Sequence, residues 1–220
     1  MLQFPLSSGD QPVRRVLALG AHADAIEIGC GAAVLALSRA NPALQVTWVV
    51  FAASGERADE ARRSAETFLA SAGNADVVVH GFRDGYLPHV GAELKDVFEE
   101  LKSRVEPDLV FTHTRHDLHQ DHRAVCELTW NTWRRHLVLE YEIPKYDGDF
   151  GAPNVFVPVS RELAVEKART VVEAFPSQHV KHWFDEELLL GVMRLRGMEA
   201  ASESGYAEAF TCRKLSLLLA

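Results

Sequence analysis

Short apolar runs that alternate with proline-free helical stretches predict an α/β domain with a mainly parallel sheet flanked by helices. Two further observations point the same way. Gly29-Cys30-Gly31 opens a helix shortly after the first run, as a helix crossing back over a parallel sheet does. Polar clusters rich in His and Asp follow the first and fourth runs, at the strand ends where open α/β sheets bind ligands. The 220 residues show no internal repeat and no linker-like stretch, so a single domain over 1–220 is expected.

The elements follow in order. Val16 to Ala21 reads as a buried strand, and the helix opened by the glycines runs to about Ala40. Gln45 to Ala53, carrying Val46, Trp48, Val49, Val50 and Phe51, is the second strand. Glu56 to Ala72 is Ala-, Glu- and Arg-rich and predicts a helix ending at Gly73. Asp76 to His80 is a short strand, followed by a loop from Gly81 to His89. Leu94, Val97, Phe98, Leu101 and Val105 fall on one helical face, which Pro107-Asp108 ends. Leu109 to Thr112 is the next buried strand. Beyond it come strands at Val138 to Ile143 and Asn154 to Val157, helices at Arg161 to Ala174 and Glu186 to Arg196, and a last strand near Phe210 to Arg213.

Composition excludes several classes. Apolar residues at 47% and charged residues at 25% describe a globular chain with a real core. A net charge of -8 with no dense Lys/Arg run argues against nucleic-acid binding. No run reaches the ~18 apolar residues of a membrane span. Met1 to Asp10 has neither the basic nor the apolar segment of a signal peptide. Cys30, Cys126 and Cys212 are odd in number and widely spaced, which suits a reducing, cytoplasmic setting rather than a disulfide framework.

The chemistry concentrates in two segments. One is His22-Ala23-Asp24-Ala25-Ile26-Glu27 after the first strand. The other, His113 to His122, reads His-Thr-Arg-His-Asp-Leu-His-Gln-Asp-His. Either alone is a solvated loop with helix-capping acids; two at equivalent strand ends meet in space if those strands are neighbours. Imidazole and carboxylate at a strand-end cleft suit a catalytic Zn²⁺, which keeps one position open for water. His119 and His122 lie three apart at a helix start and can share a face. Asp121 between them can orient one imidazole. A rival reading takes Glu27-Ile28-Gly29-Cys30-Gly31 as the first motif of a Rossmann-type methyltransferase. Ala33 stands where that motif needs glycine, and no acid ends the second strand.

Together these motifs resemble those of the PIG-L/LmbE-like family of zinc-dependent N-acetyl-sugar deacetylases. The segment Gly20 to Gly31 is similar to the family's Ala-His-(Pro/Ala/Ser)-Asp-Asp-x-Glu-x-Gly-x-Gly signature, and His119-Gln120-Asp121-His122 to its His-x-Asp-His signature. Ser54-Gly55-Glu56-Arg57, Ser177-Gln178, Arg196-Gly197 and Tyr206 to Phe210 resemble weaker landmarks, so the likeness spans nearly the whole chain. It implies a Rossmann-like domain that hydrolyses an N-acetylated amino sugar, free or on a nucleotide, lipid or glycan. His22 and His122 are then zinc ligands and Asp24 the general base. His119 stabilises the oxyanion or protonates the amine with Asp121 as partner, and Arg57 contacts substrate unless it is a solvated helix residue. Glu27 caps or braces the first helix, with metal binding as the alternative, Cys30 is a small buried residue, and His113 and His116 are loop or supporting residues.

One position departs from the pattern. The family's third zinc ligand is the second Asp of its pair, and Ala25 stands there. A methyl group cannot coordinate a metal, so a folded but poorly metallated, nearly inactive chain is expected, with Ala25→Asp restoring both properties. The same feature motivates a second class, a non-catalytic sugar-binding or scaffold protein. The polar and aromatic stretch Glu140 to Asp149 is expected to border the pocket through Tyr146 and Asp147, or to be lent to a neighbouring subunit of a homo-oligomer. Trp48, Trp130, Trp133 and Trp183 are expected to serve the core for the most part, with stacking on a sugar as the alternative.

Overall fold

The computed structural model describes residues 3, 5, 6 and 12–216; most of the Met1 to Asp10 segment lies outside them. Within the described residues seven strands form one sheet: β1 (Arg15–His22), β2 (Gln45–Ala52), β3 (Asn74–Val79), β4 (Leu109–His113), β5 (Leu137–Tyr141), β6 (Val155–Val159) and β7 (Tyr206–Cys212). Their order is β3-β2-β1-β4-β5-β7-β6. The first five are parallel, while β7 runs antiparallel to both β5 and β6.

Among the described residues six α-helices cover the sheet: α1 (Ala25–Ala40), α2 (Glu56–Phe68), α3 (Gly91–Arg104), α4 (Gln120–Thr132), α5 (Arg161–Ala174) and α6 (Glu186–Glu199). Alternate strand residues feed two cores. Val16 and Ala18 of β1 join Val46, Trp48, Phe111 and Phe68 on the α1 and α2 side. Leu17 and Leu19 join Val49, Phe51, Phe98 and Val125 on the α3 and α4 side. Burial on both faces is why these strands read as continuous apolar runs rather than alternating ones. Strand order reverses at β1, which has β2 on one side and β4 on the other. The crevice at the carboxyl ends of β1 and β4 is therefore the topological switch point, and both polar clusters open onto it.

Several boundaries differ from the sequence expectation. Helix α1 begins at Ala25, not at the glycines, and is interrupted at Cys30 (φ -144, ψ 16). Tyr141 packs so close that a Cβ on Gly29 would lie 2.1 Å from its ring. The backbone groups freed at the break are taken up: Lys167 Nζ donates to Ile28 O at 2.7 Å, and the Glu208 carboxylate accepts from Ala32 N (2.9 Å) and Ala33 N (2.7 Å). Gly29 to Gly31, where a methyltransferase cofactor would have to approach, instead lie within α1 and pack against the Tyr141 and Phe68 rings. Helix α2 ends at Phe68 rather than Ala72. The last strand starts at Tyr206, where pairing with Val159 begins, rather than at Phe210. All three cysteines are free thiols. Among the described residues no helix is long and apolar enough to cross a membrane.

Candidate active site

The end of β1 delivers His22, and the chain turns at once into α1 with Asp24 at its N-cap position. The end of β4 delivers His113, and the loop after it leads to His119, which caps α4. Its Nδ1 accepts from Asp121 N at 3.2 Å, so neutral His119 carries its proton on Nε2. His122 follows in the first turn of α4. The structure brings one ring nitrogen from each of His22, His119 and His122 within 4.8 Å of one another.

Each of the two expected ligands is oriented by a carboxylate. His22 Nε2 donates to Asp121 Oδ2 at 3.1 Å and also faces Asp84 Oδ1 at 3.1 Å. His122 Nδ1 donates to the buried Asp117 Oδ2 at 2.8 Å. With those nitrogens protonated, the opposite nitrogens, His22 Nδ1 and His122 Nε2, are lone pairs when both rings are neutral. They face each other at 3.1 Å. Two acceptors at that distance need a cation between them, a proton or a metal ion. Burial by itself lowers the His22 pKa, but the bonds to Asp121 and Asp84 outweigh it and raise it to about 9. Burial holds His122 down at about 4 against the pull of Asp117. In the metal-free protein His22 accordingly supplies the proton, and a metal ion there would displace it.

The bond to His22 draws Asp84 down to about 2, and the bonds from His22, Gly85 N and Leu87 N hold Asp121 low against its burial. Asp121 accepts those two amides at 2.7 and 3.1 Å. This differs from the expected pairing, because the Asp121 carboxylate serves His22 and only its backbone N–H meets His119. Its place in the first turn of α4 aims the side chain across to β1 and the 84–87 loop.

Arg57 is no solvated helix residue. Its Nη2 lies 3.1 Å from Asp24 Oδ2 and its Nη1 3.1 Å from Glu60 Oε2, with the guanidinium over the Phe175 ring at 5.2 Å. Buried Glu60 also accepts from Ser177 N (2.9 Å) and Ser177 Oγ (2.6 Å), tying α2 to the segment after α5. Glu27 does not cap α1. It is fully buried, neither carboxyl oxygen has a hydrogen-bond partner among the described residues, and burial raises its pKa to about 8. Ala25 is buried and sets only a methyl group where the resemblance implied a third ligand.

His113 lies beneath the site, stacked on His122 at 3.9 Å, and its Nε2 accepts from Ala21 N at 2.9 Å. His116 is exposed and outside the cluster. The Glu140 to Asp149 stretch divides. Glu140 and Tyr141 belong to β5 and are buried, Glu140 on Arg213 and Trp130, and Tyr141 with its hydroxyl donating to Leu19 O. Lys145 reaches the site instead, its Nζ 3.0 Å from Asp117 Oδ2 and 2.6 Å from Asp149 Oδ1. Tyr146 lines a groove beside it, and exposed Asp147 does not. Trp48 and Trp133 are core residues as expected.

Sequence reasoning did not single out Asp84 or Asp117, and it reached Lys145 only as part of the 140–149 stretch expected to border the pocket. Asp117 sits two residues before His119, and that position in a His-rich turn was the available signal. Asp84 and Lys145 come from distant segments that only the fold brings near.

The PIG-L: GlcNAc-PI de-N-acetylase family model matches residues 17–133. The uncharacterized deacetylase YaiS of Escherichia coli K12 is 30% identical over 178 residues, covering 76% of this chain and 94% of that protein. The conserved protein TT1542 of Thermus thermophilus superposes with a TM-score of 0.73 at 20% identity, over 94% of this chain and 97% of that one. The N,N'-diacetylchitobiose deacetylase of Pyrococcus horikoshii gives 0.68 at 20% identity, over 91% and 84%. These two show the shared fold, and the family match with the 30% identical relative shows descent. The chain belongs to the PIG-L family of de-N-acetylases and is an amide hydrolase of the deacetylase kind.

Proposed function

We propose that the protein removes the acetyl group from an N-acetylated amino sugar or sugar conjugate, with Zn²⁺ held by His22 Nδ1 and His122 Nε2. The observation that carries the metal assignment is the pair of facing lone pairs, each fixed by a carboxylate on the far side of its ring. Neutral imidazoles backed by carboxylates are the donor chemistry zinc prefers. When bound, zinc supplies the Lewis acidity that brings water to a pKa of about 7 and polarises an acyl oxygen.

The remaining work falls to this chain's own side chains. Asp24, largely buried at the N-cap of α1 and paired with Arg57, accepts the proton of the attacking water and returns it to the departing amine. His119 keeps its proton on Nε2 because Nδ1 is bonded to the helix, so it presents a donor for the oxyanion that develops at the amide carbon. That tautomer suits a donor and not a third metal ligand. Arg57 fixes Asp24 and edges the crevice where the sugar enters. Acetate and a free amine leave, with one water consumed.

The test is acetate release from a panel of N-acetyl sugars, free and conjugated, by the Ala25→Asp variant loaded with zinc. Turnover of at least one member is expected; none, with zinc bound, would overturn the proposal. Ala25 also favours a second reading, a sugar-binding protein that has lost turnover. Tight sugar binding without stoichiometric metal, even in the Ala25→Asp variant, would select it.

A further inference from the structure

The ladder between β1 and β4 is shorter than either strand. Its pairing runs from Val16 with Leu109 to Ala18 with Phe111 and stops there. On its other edge β1 stays paired with β2 as far as His22 with Ala52, and β4 stays paired with β5 as far as His113 with Tyr141. The two strands therefore part after Ala18 and Phe111, and the crevice opens between them. Arg15 O accepts from Asp108 N, so the odd-numbered residues of β1 turn their backbone groups toward β4. Beyond the ladder that edge leaves buried amides and carbonyls that a neighbouring strand no longer meets, and each must find another partner.

Two side chains supply those partners. His113 Nε2 accepts from Ala21 N at 2.9 Å, and the Tyr141 hydroxyl donates to Leu19 O at 2.6 Å. Both rings are fully buried, and the hydroxyl oxygen lies 3.2 Å from the same imidazole nitrogen. An imidazole that accepts an N–H is neutral and keeps its proton on the other nitrogen, here Nδ1. That nitrogen has no partner among the described residues. A buried donor left unbonded costs stability, so packing alone does not account for an imidazole at this position. What His113 adds is contact with both halves of the cluster. Ala21, which it holds, immediately precedes His22, and its ring face carries the His122 ring at 3.9 Å and 16°. Asp117 grips His122 at one nitrogen and leaves the ring free to tilt about that bond; the His113 face stops the tilt.

We infer that His113, braced by Tyr141, is a positioning residue that replaces the backbone ladder between β1 and β4 and sets the separation of the His22 and His122 rings. Its bearing on zinc rests on the reading proposed above; its bearing on ring spacing does not.

Zinc affinity by chelator competition, in the Ala25→Asp background, is compared with and without His113→Phe or His113→Gln. The first keeps a ring face and loses the acceptor, and the second keeps an acceptor and loses the face. Each should bind zinc about 10–100-fold more weakly at a temperature where circular dichroism shows it folded. Proton–nitrogen NMR of the histidine rings in the metal-free, otherwise unaltered chain reads the spacing without a metal. The proton shared by His22 Nδ1 and His122 Nε2 should give one strongly downfield signal, lost in both His113 variants. Tyr141→Phe removes one oxygen and leaves both rings in place, so it decides the matter if neither His113 variant folds. It should weaken zinc binding a few fold and broaden the same signal. Parental zinc affinity in the folded variants, a shared-proton signal unchanged in them, or its absence from the parent overturns the inference. An Ala25→Asp protein that binds no zinc sinks the metal reading instead, and the NMR comparison alone then decides on His113.

Discussion

His22 Nδ1 lies 3.1 Å from His122 Nε2, and neither nitrogen can donate while its ring is neutral, because Asp121 and Asp117 hold the protons on the opposite sides. The residues that hold the rings therefore also decide what can sit between them.

The first prediction concerns Ala25. A catalytic zinc normally has three protein ligands, and a charged one is missing. Zinc affinity of the present chain should fall short of the Ala25→Asp variant by more than the ~10–100-fold typical of losing a supporting partner. Competition with a zinc chelator measures this. Adding Asp24→Asn to Ala25→Asp should leave zinc retention within a few fold and abolish acetate release.

A second prediction separates the carboxylates behind the rings. Asp117→Asn and Asp121→Asn, made in the Ala25→Asp background, should each weaken zinc binding about 10–100-fold. Asp84→Asn should cost much less, because Asp84 is exposed and Asp121 still holds His22. An Asp84 effect as large as that of Asp121 would show the metal on the Nε2 side of His22.

Glu27 gives a pH test of stability. Its folded pKa of about 8 stands above the ordinary 4.5, so the unfolded chain releases this proton first as pH rises. Below about 4.5 the group costs nothing. Between there and about 8 stability declines by up to about 1.4 kcal/mol per pH unit, and above that the loss is complete. Glu27→Gln should remove this slope. Thermal midpoints of the two proteins should separate progressively from pH 5 to 8, with the variant the more stable at the upper end; parallel curves would contradict it.

The break in α1 gives a fourth. Lys167 and Glu208 are both buried, and their bonds satisfy the amides and carbonyl freed around Cys30. Glu208→Ala leaves a buried ammonium unpaired and should cost about 3–5 kcal/mol. At this chain length that lowers Tm by on the order of 10 °C. Replacing both residues with apolar ones of similar size should recover part of the loss, since the pairing and not the bulk is at stake.

Strands β1, β2 and β4 were legible because both of their faces are buried, which leaves unbroken apolar runs such as Val16 to Ala21. The two signatures placed His22, Asp24, His119, Asp121 and His122, and the strand order then put them in one crevice. The start of α1 was hidden because its first turn, Ala25 to Ile28, follows polar residues directly, and the glycines mark a break within the helix rather than its beginning. The front of β7 was hidden by Glu208, a charged residue in a strand whose partner, Lys167, lies 41 positions away. Asp84 escaped for the same reason, as did the partner of Lys145, itself within the stretch expected to border the pocket. Their meaning is set by contacts with His22 and Asp117 that no local pattern encodes.

Anomalous diffraction at the zinc edge, on crystals of the Ala25→Asp variant grown with one equivalent of zinc, tests the central claim most directly. The account predicts a single peak between His22 Nδ1 and His122 Nε2, about 2 Å from each. A peak on the other side of His22, among Nε2, Asp84 and Asp121, or no ordered zinc near either histidine, would contradict it.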